Sequence, residues 1–168
     1  MAHADKHRIL HPPQHGFRKG LSCDTQLVDF VDDVTKNLDS GKQTDCLIMD
    51  FSKAFDKVCH SLLIHKLHHY GIRGKTNRWI QTFLRNHNQS VVVEGETSNS
   101  IQVESGVPQG SVLGPSLFLY YINDMPENIR SKTRLFADNA IVYLTITSDI
   151  DSVSLQNDLN KLARWEER

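Results

Sequence analysis

An α+β fold is predicted from three features of this sequence. Segments with apolar residues three and four positions apart, typical of helices, are interspersed with short apolar runs that suit buried strands. Two of these runs are separated by only two residues, which predicts a tight hairpin and therefore antiparallel strands. The predicted order, α–β–α–α–β–β–α–β–β–α, mixes helices with hairpins, whereas a doubly wound parallel sheet requires regular alternation.

The composition is that of an ordinary globular protein. The length of 168 residues favours one domain, and 39% apolar with 23% charged residues excludes a disordered or collagen-like chain. No apolar run approaches the length of a membrane span, and the first residues lack the apolar core of a secretory signal. Three cysteines without a C-x-x-C pair favour a reducing compartment. We therefore expect an intracellular protein, in the nucleus or the cytoplasm, that is neither secreted nor bound to a membrane.

The net charge of −1 conceals an uneven distribution. Residues 51–90 hold seven Lys or Arg and one acidic residue, whereas residues 91–128 hold five acidic residues and no Lys or Arg. Such a basic region can bind a polyanion such as nucleic acid. The alternative is the solvated surface of ordinary helices.

The first 20 residues predict an irregular start. They are polar and include Pro12-Pro13, which interrupts the helix on which four evenly spaced histidines would align, so a metal-binding stripe is not expected. A helix is predicted from Ser22, a candidate N-cap, to Leu38, with Gly41 as the stop. The short apolar run Cys46–Met49 then suits a buried strand.

Two helices and two strands are predicted in the middle of the chain. The helices cover Leu62–Tyr70, closed by Gly71, and roughly Lys75–Asn86. The second helix is expected to turn four apolar side chains inward, namely Trp79, Ile80, Phe83 and Leu84. The strands are Gln89–Gly95 and Ile101–Glu104, joined by a polar turn.

The last third begins with a loop at 106–111 and an apolar helix over Leu113–Met125. Strands are predicted at Thr133–Ala137 and Ala140–Ile146, with Asp138-Asn139 as the hairpin turn because Asn and Asp tolerate positive φ. An amphipathic helix from Asp151 to Arg168 runs to the end of the chain.

Two carboxylates stand at positions where a sheet could present them to solvent. Asp50 ends an apolar strand and Asp138 lies in the predicted hairpin turn. Mg²⁺ is commonly held by one or two carboxylates together with substrate phosphates. The alternatives are that Asp50 caps a helix beginning near Ser52 and that Asp138 is only a turn residue.

Three sequence blocks occur in a fixed order. They read D-F-S-K-A-F-D-K-V from Asp50, G-V-P-Q-G-S-V-L-G-P from Gly106 and F-A-D-N from Phe136, and Q-H-G-F-R-K-G precedes them from Gln14. Together they closely resemble the reverse transcriptase of non-LTR (LINE-type) retrotransposons, and the resemblance covers nearly the whole chain.

The resemblance implies a palm subdomain, an antiparallel sheet with packed helices, together with partial fingers. The fingers would take about 1–45 and 60–105, and the palm core about 45–60 and 105–168, within one domain over 1–168.

The resemblance also implies the chemistry. Asp50 and Asp138 match the two metal-binding aspartates, and the carbonyl of Phe51 matches a backbone ligand of the metal. The implied cofactors are two Mg²⁺ ions, for which Mn²⁺ is a possible substitute. The implied reaction is attack of a primer 3′-hydroxyl on the α-phosphorus of a deoxynucleoside triphosphate, directed by an RNA template on a DNA primer.

Further residues match the substrate site of this family. Phe55 matches the bulky residue beneath the incoming sugar, where its ring would collide with a 2′-hydroxyl; the alternative is a core aromatic. Gly106, Pro108, Gln109 and Gly110 match the loop that supports the template strand and the nucleotide pocket.

The chain departs from the family in two side chains. The catalytic hairpin usually reads F-A-D-D, and here Asn139 replaces the second aspartate. Because an amide is neutral, we hypothesise weakened metal binding and strongly reduced polymerisation. Cys59 stands where the family usually has proline, which we expect to be tolerated.

The chain also departs from the family in length. The upstream fingers block, the lysine block after the catalytic hairpin, the primer grip and the thumb have no counterpart here. We therefore expect a segment of a longer polyprotein, in which Met1 is an internal residue and Arg168 lies inside a helix that continues. Apolar surface left without those neighbours predicts marginal stability or self-association.

Three interpretations follow. The first is an RNA-directed DNA polymerase domain, impaired by Asn139 and truncation, whose partners are the RNA template, the DNA primer and deoxynucleoside triphosphates. The second is a catalytically inactive retrotransposon remnant with at most non-specific nucleic-acid binding. The third, a plain α+β domain with accidental motifs, is disfavoured by the specificity of the blocks.

Overall fold

The computed structural model describes residues 2–167, which form two compact units. The first unit comprises the chain up to Ser52 and again from Ile122 onward, and the second is Lys53–Tyr121. Helices are combined with antiparallel strands in both units, which agrees with the predicted α+β class. The assignment of palm and fingers stays a prediction.

Thirteen elements follow one another along the described residues. In chain order they are α1 (Ala2–Lys6), α2 (Cys23–Asp39), β1 (Gln43–Asp50), α3 (His60–His69), α4 (Gly74–Arg85), β2 (Asn88–Gln89), β3 (Val92–Val93), β4 (Glu96–Thr97), β5 (Ile101–Gln102), α5 (Leu113–Ile122), β6 (Lys132–Phe136), β7 (Asn139–Ile146) and α6 (Asp149–Glu166).

An antiparallel sheet of order β1-β7-β6 is the centre of the first unit. Alternation along β1 turns Leu47 and Met49 toward a core that includes Leu155 and Leu162 of α6. On β7, Tyr143 follows a core residue and so points to the other face, where its ring meets Phe30 of α2 edge-on at 5.1 Å. The sheet therefore lies between α6 and α2.

Local capping signals set the ends of α2 as predicted and the start of α6 where it was not predicted. The side chain of Ser22 accepts a hydrogen bond from the backbone N–H of Thr25 at the start of α2, and Gly41 adopts φ +66° just after its end. The last helix begins two residues earlier than predicted, because Ser148 and Asp151 form a capping box. Arg168, the predicted end of that helix, lies outside the described residues.

The N-terminal segment is more regular than the prediction of an irregular start. Residues 2–6 form α1, and Ala4 within it is buried. Farther along, the backbone of Pro13 and His15 pairs with Leu135 of β6. The prediction was wrong for residues 2–6 because the prolines lie beyond this helix and do not interrupt it.

In the second unit α4 packs against α3, and both contribute buried leucines to its core. Ile80 and Leu84 of α4 are buried as predicted. Trp79 was predicted to face inward, but its side chain is 56% exposed, and Phe83 is only half-buried. The reason is helical geometry: the stripe through Ile80 and Leu84, one turn apart, leaves Trp79 at its edge.

The two strands predicted near residue 95 are shorter and turn earlier than expected. The chain reverses at Glu94-Gly95, both with positive φ, so β3 pairs with β4 and β2 pairs with β5. The predicted polar turn was placed too late because Gly95, which adopts φ +89°, was read as the end of a strand.

The length and polarity of the helices bear on membrane insertion. Within residues 2–167 every helix is too short or too polar to cross a membrane.

Candidate active site

The register of β1 and β7 brings the predicted metal ligands to one end of the sheet. Asp50 lies directly opposite Asn139 in the antiparallel ladder. One residue farther on, the backbone N–H of Phe51 donates to the carbonyl oxygen of Asp138 at 3.4 Å. Asp50, Phe51, Asp138 and Asn139 are therefore neighbours, although 87 positions separate Phe51 from Asp138 in the chain.

The hairpin turn consists of Ala137 and Asp138, and the prediction of Asp138-Asn139 was wrong by one residue. Asn139 is the first residue of β7 and pairs with both Asp50 and Phe136. Because directly opposed residues share one face of an antiparallel pair, the side chains of Asp50 and Asn139 lie on the same face of the sheet. Both are exposed, whereas Asp138 in the turn is half-buried.

The positive φ of this turn falls on Ala137, at 53°, and not on an Asn or Asp. Alanine disfavours that conformation, so the surroundings must hold it. The side-chain oxygen of Gln14 accepts the backbone N–H of Ala137 at 3.0 Å and that of Gly16 at 2.7 Å. Gln14 is itself buried. The N-terminal segment therefore fixes the turn that carries Asp138.

Gly16 approaches the same turn too closely for any side chain. A Cβ atom at this position would lie 2.3 Å from the backbone nitrogen of Ala137. Gln14 and Gly16 belong to a block that resembles the family, but no role was predicted for them from the sequence. The only signal that pointed to them is their place in the block Q-H-G-F-R-K-G.

Phe51 anchors the end of β1. Its half-buried ring packs against the core, meeting Trp165 of α6 at 6.1 Å between ring centroids. The indole nitrogen of Trp165 in turn donates to the carboxylate of Asp124 at 3.1 Å. The side-chain packing of Phe51 thus holds in place the backbone carbonyl that is predicted to bind the metal.

The donor set at this edge suits a hard divalent cation. It comprises the carboxylates of Asp50 and Asp138 and the carbonyl of Phe51, all oxygen donors of the kind that Mg²⁺ takes. Among the described residues, no three His, Cys, Asp or Glu side chains cluster into a complete metal cage. Two carboxylates fit an ion that completes its shell with water and substrate phosphates.

A network missed by the sequence analysis ties α2 to the hairpin. Arg134 of β6 donates to the carboxylates of Asp29 and Asp33 at 3.2 and 2.8 Å, and Tyr143 and Lys132 also donate to Asp33. Burial opposes ionisation of Asp33, but these hydrogen bonds outweigh it and hold its pKa well below the usual value. Burial, together with the bond to Asp33, raises the pKa of Tyr143 to about 12.

In the second unit, the block that follows Asp50 is bound to the G-V-P-Q-G loop. The backbone N–H groups of Gly106 and Val107 donate to the carbonyls of Val58 and Phe55, each at 2.8 Å. The Nε2 atom of His60 lies 2.7 Å from the carbonyl oxygen of Gly106, so it donates this hydrogen bond. His60 was not singled out from the sequence.

Gly106 requires the absence of a side chain. It adopts φ +91°, and a Cβ atom there would lie 2.9 Å from the backbone of Asp56. Gly110 also has positive φ, at +75°, but open space surrounds it. The close backbone approach in this loop therefore occurs at Gly106, against the backbone of Asp56.

A cavity of about 270 Å³ opens beside this loop. Gly106, Pro108 and Gln109 line it, together with Asp56 and Gln89 among others. Gly110, the fourth predicted loop residue, is exposed and is not part of this lining. Three of the predicted substrate-loop residues thus share one concave surface.

Phe55 stacks on Phe118 of α5, with 4.3 Å between ring centroids and 19° between ring planes. Phe118 is buried and Phe55 half-buried. The stacking on Phe118 agrees with the alternative that Phe55 is a core aromatic, whereas the exposed part of the Phe55 ring would allow contact with a ligand. The role of Phe55 therefore stays a prediction.

Known proteins resemble this chain in sequence over most of its length. The family model described as reverse transcriptase (RNA-dependent DNA polymerase) matches residues 2–168. A probable RNA-directed DNA polymerase from transposon BS of Drosophila melanogaster is 28% identical over 96% of this chain. The RNA-directed DNA polymerase from mobile element jockey of Drosophila funebris is 32% identical over 82% of it. A Pol polyprotein from the type-1 retrotransposable element R2 of Popillia japonica is 29% identical over 71% of it.

These relatives are much longer than this chain. The matched regions cover 19%, 15% and 19% of their respective lengths. The chain thus spans less than a fifth of the relatives it matches.

Proposed function

The chain belongs to the reverse transcriptase (RNA-dependent DNA polymerase) family, and on that premise we propose that it carries the metal-binding and nucleotide-binding residues of an RNA-directed DNA polymerase. One observation carries the proposal above all: the β1–β7 register sets Asp50 beside the turn that holds Asp138. The partners are an RNA template, a DNA primer and deoxynucleoside triphosphates. These substrates place the reaction in the nucleus or the cytoplasm.

Asp50, Asp138 and the carbonyl of Phe51 would hold the divalent ions, Mg²⁺ or its substitute Mn²⁺. Two such ions, when bound, promote deprotonation of a primer 3′-hydroxyl and neutralise the leaving pyrophosphate. The carboxylates would contribute charge and orientation, and the half-buried ring of Phe51 keeps the end of β1 in place beside Asp138.

The loop of the second unit would support the template and the nucleotide. Gly106, Pro108, Gln109 and Gly110 are the residues proposed for this task, and three of them line the cavity of about 270 Å³. Phe55 would exclude a 2′-hydroxyl by steric collision. In this proposal the antiparallel sheet with Asp50 and Asp138 belongs to the palm, and partial fingers occupy about 1–45 and 60–105.

Asn139 would impair this site. It stands beside Asp50 on the same face of the sheet, where the family places a second carboxylate in the hairpin block. A neutral amide there removes one negative charge from the surroundings of two cations, so metal binding weakens. The same observation favours a second candidate function, an inactive remnant that binds nucleic acid without specificity.

Primer extension separates these two functions. A DNA primer annealed to an RNA template is incubated with the chain, with Asn139→Asp and with Asp50→Ala, in Mg²⁺ or Mn²⁺. The polymerase proposal expects weak extension by the chain, stronger extension by Asn139→Asp and none by Asp50→Ala. Extension that persists in Asp50→Ala would contradict the assigned site, and absence of extension from all three proteins would support the inactive remnant.

A further inference from the structure

One face of α4 collects exposed cations and an aromatic ring. At 100° per residue, Lys75, Arg78, Trp79, Thr82 and Arg85 fall within about 120° of the helix circumference. All five are exposed. This set is called the α4 basic face below.

The opposite side of α4 fixes the helix to its neighbour, so the α4 basic face is turned to solvent. Ile80 and Leu84 on that side are buried. The side-chain nitrogen of Asn77 donates to the carbonyls of Ile64 and Ile72, at 3.2 and 3.0 Å. Packing and hydrogen bonds therefore hold one orientation of α4 within its unit.

The charge of this region is of one sign only. Between Lys57 and Val93 the sequence has six Lys or Arg and no Asp or Glu. Two of these cations serve the fold: buried Lys66 donates to the carbonyl of Tyr121 at 2.6 Å, and Arg73 donates to that of His68 at 3.0 Å. A helix surface kept only for solubility usually mixes both signs.

Trp79 is unusual among the exposed residues of α4. Its side chain is 56% exposed, although burial of an indole would be favourable. Phe83 stacks on it nearly in parallel, at 5.7 Å and 14°, which orients the ring without covering it. A flat aromatic surface beside a row of cations is an arrangement that binds single-stranded nucleic acid, because the cations contact phosphates and a base stacks on the ring.

We propose that the α4 basic face binds single-stranded RNA. Lys75, Arg78 and Arg85 would contact phosphates, and Trp79 would stack with one base. A single strand is required because only unpaired bases expose a face for stacking. The choice of RNA rests on the proposed function, in which RNA is the unpaired strand, but the binding itself needs neither Asp50 nor a metal ion.

Fluorescence anisotropy with a labelled RNA strand of about 20 nucleotides, in EDTA and at several salt concentrations, tests this proposal. Lys75, Arg78 and Arg85 are replaced together by Gln, and the matched control replaces three exposed lysines of the other unit, Lys6, Lys19 and Lys42. Loss of three phosphate contacts is expected to reduce the slope of log affinity against log salt by about 2, whereas the control leaves it unchanged.

Stacking is tested separately at Trp79. Trp79→Ala is expected to weaken RNA binding about tenfold, and Trp79→Phe to restore most of it. Circular dichroism confirms that these surface variants are folded.

Several results would overturn the proposal. They are absence of RNA binding by the unaltered chain, an equal loss in the control, and equal affinity of Trp79→Ala and Trp79→Phe. If polyglutamate competes as strongly as unlabelled RNA, the face is instead a surface for acidic proteins. If duplex RNA competes as strongly, the preference for a single strand is refuted. If single-stranded DNA competes as strongly, the preference for RNA is refuted. RNA binding without primer extension would contradict the proposed function and leave this inference standing.

Discussion

Asn139 is the direct cross-strand partner of Asp50, so a neutral amide stands beside the carboxylate predicted to bind metal. Side chains opposed in this way have their Cβ atoms about 4.5–5.5 Å apart. At that range the charge at position 139 acts on any cation that Asp50 holds. Asn139 can pair with Asp50 because the turn lies at Ala137-Asp138. A turn one residue later would include Asn139 and remove it from the strand.

Gln14→Leu is expected to lower the free energy of unfolding by about 2–4 kcal/mol, because two backbone N–H groups in a buried setting lose their acceptor. Urea unfolding measures this loss. Gln26→Leu is the control, because Gln26 is also buried and its side-chain nitrogen, like that of Gln14, has no hydrogen-bond partner within residues 2–167. Equal losses in the two variants would show that Gln14 does not hold the turn.

Gly106→Ala is expected to destabilise the chain more than Gly110→Ala. Both glycines have positive φ, so each substitution costs about 1–2 kcal/mol of backbone strain. Only the Cβ at position 106 meets backbone at 2.9 Å, which adds about 1–3 kcal/mol. Thermal and urea unfolding of the pair isolate the close approach, and a larger loss at Gly110 would refute it.

Asp158 is expected to stabilise the fold at neutral pH and to lose that effect in acid. Its buried carboxylate accepts hydrogen bonds from the backbone of Arg130 and Ser131 and from the ammonium of Lys161. Burial opposes ionisation, but these bonds lower the pKa of Asp158 below its usual value. Because the folded-state pKa is the lower one, the stabilisation is complete above the unfolded pKa, about 3.8, and is lost as pH falls below it.

Asp158→Asn should therefore destabilise the chain by about 1–3 kcal/mol at pH 7 and by progressively less as the pH falls below about 3.8. Urea unfolding at a series of pH values gives the comparison. Asp149→Asn, at an exposed position of the same helix, is the control and should change stability less. A pH-independent loss in Asp158→Asn would mean that the carboxylate charge contributes nothing.

Phe55→Val, made together with Asn139→Asp, is expected to raise incorporation of ribonucleotides relative to deoxynucleotides, because less bulk would face a 2′-hydroxyl. Phe118→Val in the same background is the control, since it removes the same ring stack from the other side. Single-nucleotide incorporation assays measure the ratio. If both variants lose activity without a change in that ratio, Phe55 is a core aromatic.

Local signals account for what the sequence could predict. Ser22 and Gly41 mark the two ends of α2 in the sequence, because an N-cap and a glycine with positive φ act on the backbone next to them. The apolar run within β1 identifies a strand because it too is a signal carried by neighbouring residues. The motif blocks identify the family because their residues and their order are specific.

Features that depend on long-range contacts could not be predicted. The positive φ of Ala137 depends on Gln14, 123 positions away, and no preference of alanine announces it. The ion pairs of Arg134 depend on how α2 lies against β6. The exposure of Trp79 was not predicted, because the periodicity of apolar residues identifies the apolar stripe of a helix but does not tell which edge of that stripe a neighbouring element covers.

Binding of Mn²⁺, followed by electron paramagnetic resonance, is the decisive test of a metal site that is formed by Asp50 and Asp138 and weakened by Asn139. We predict weak binding by the chain, binding on the order of tenfold tighter in Asn139→Asp, and loss of that binding when Asp50→Asn or Asp138→Asn is added. Asp45→Asn, also on β1, is the control and should change nothing. Equal binding by the chain and Asn139→Asp, or binding that survives Asp50→Asn, would contradict the account.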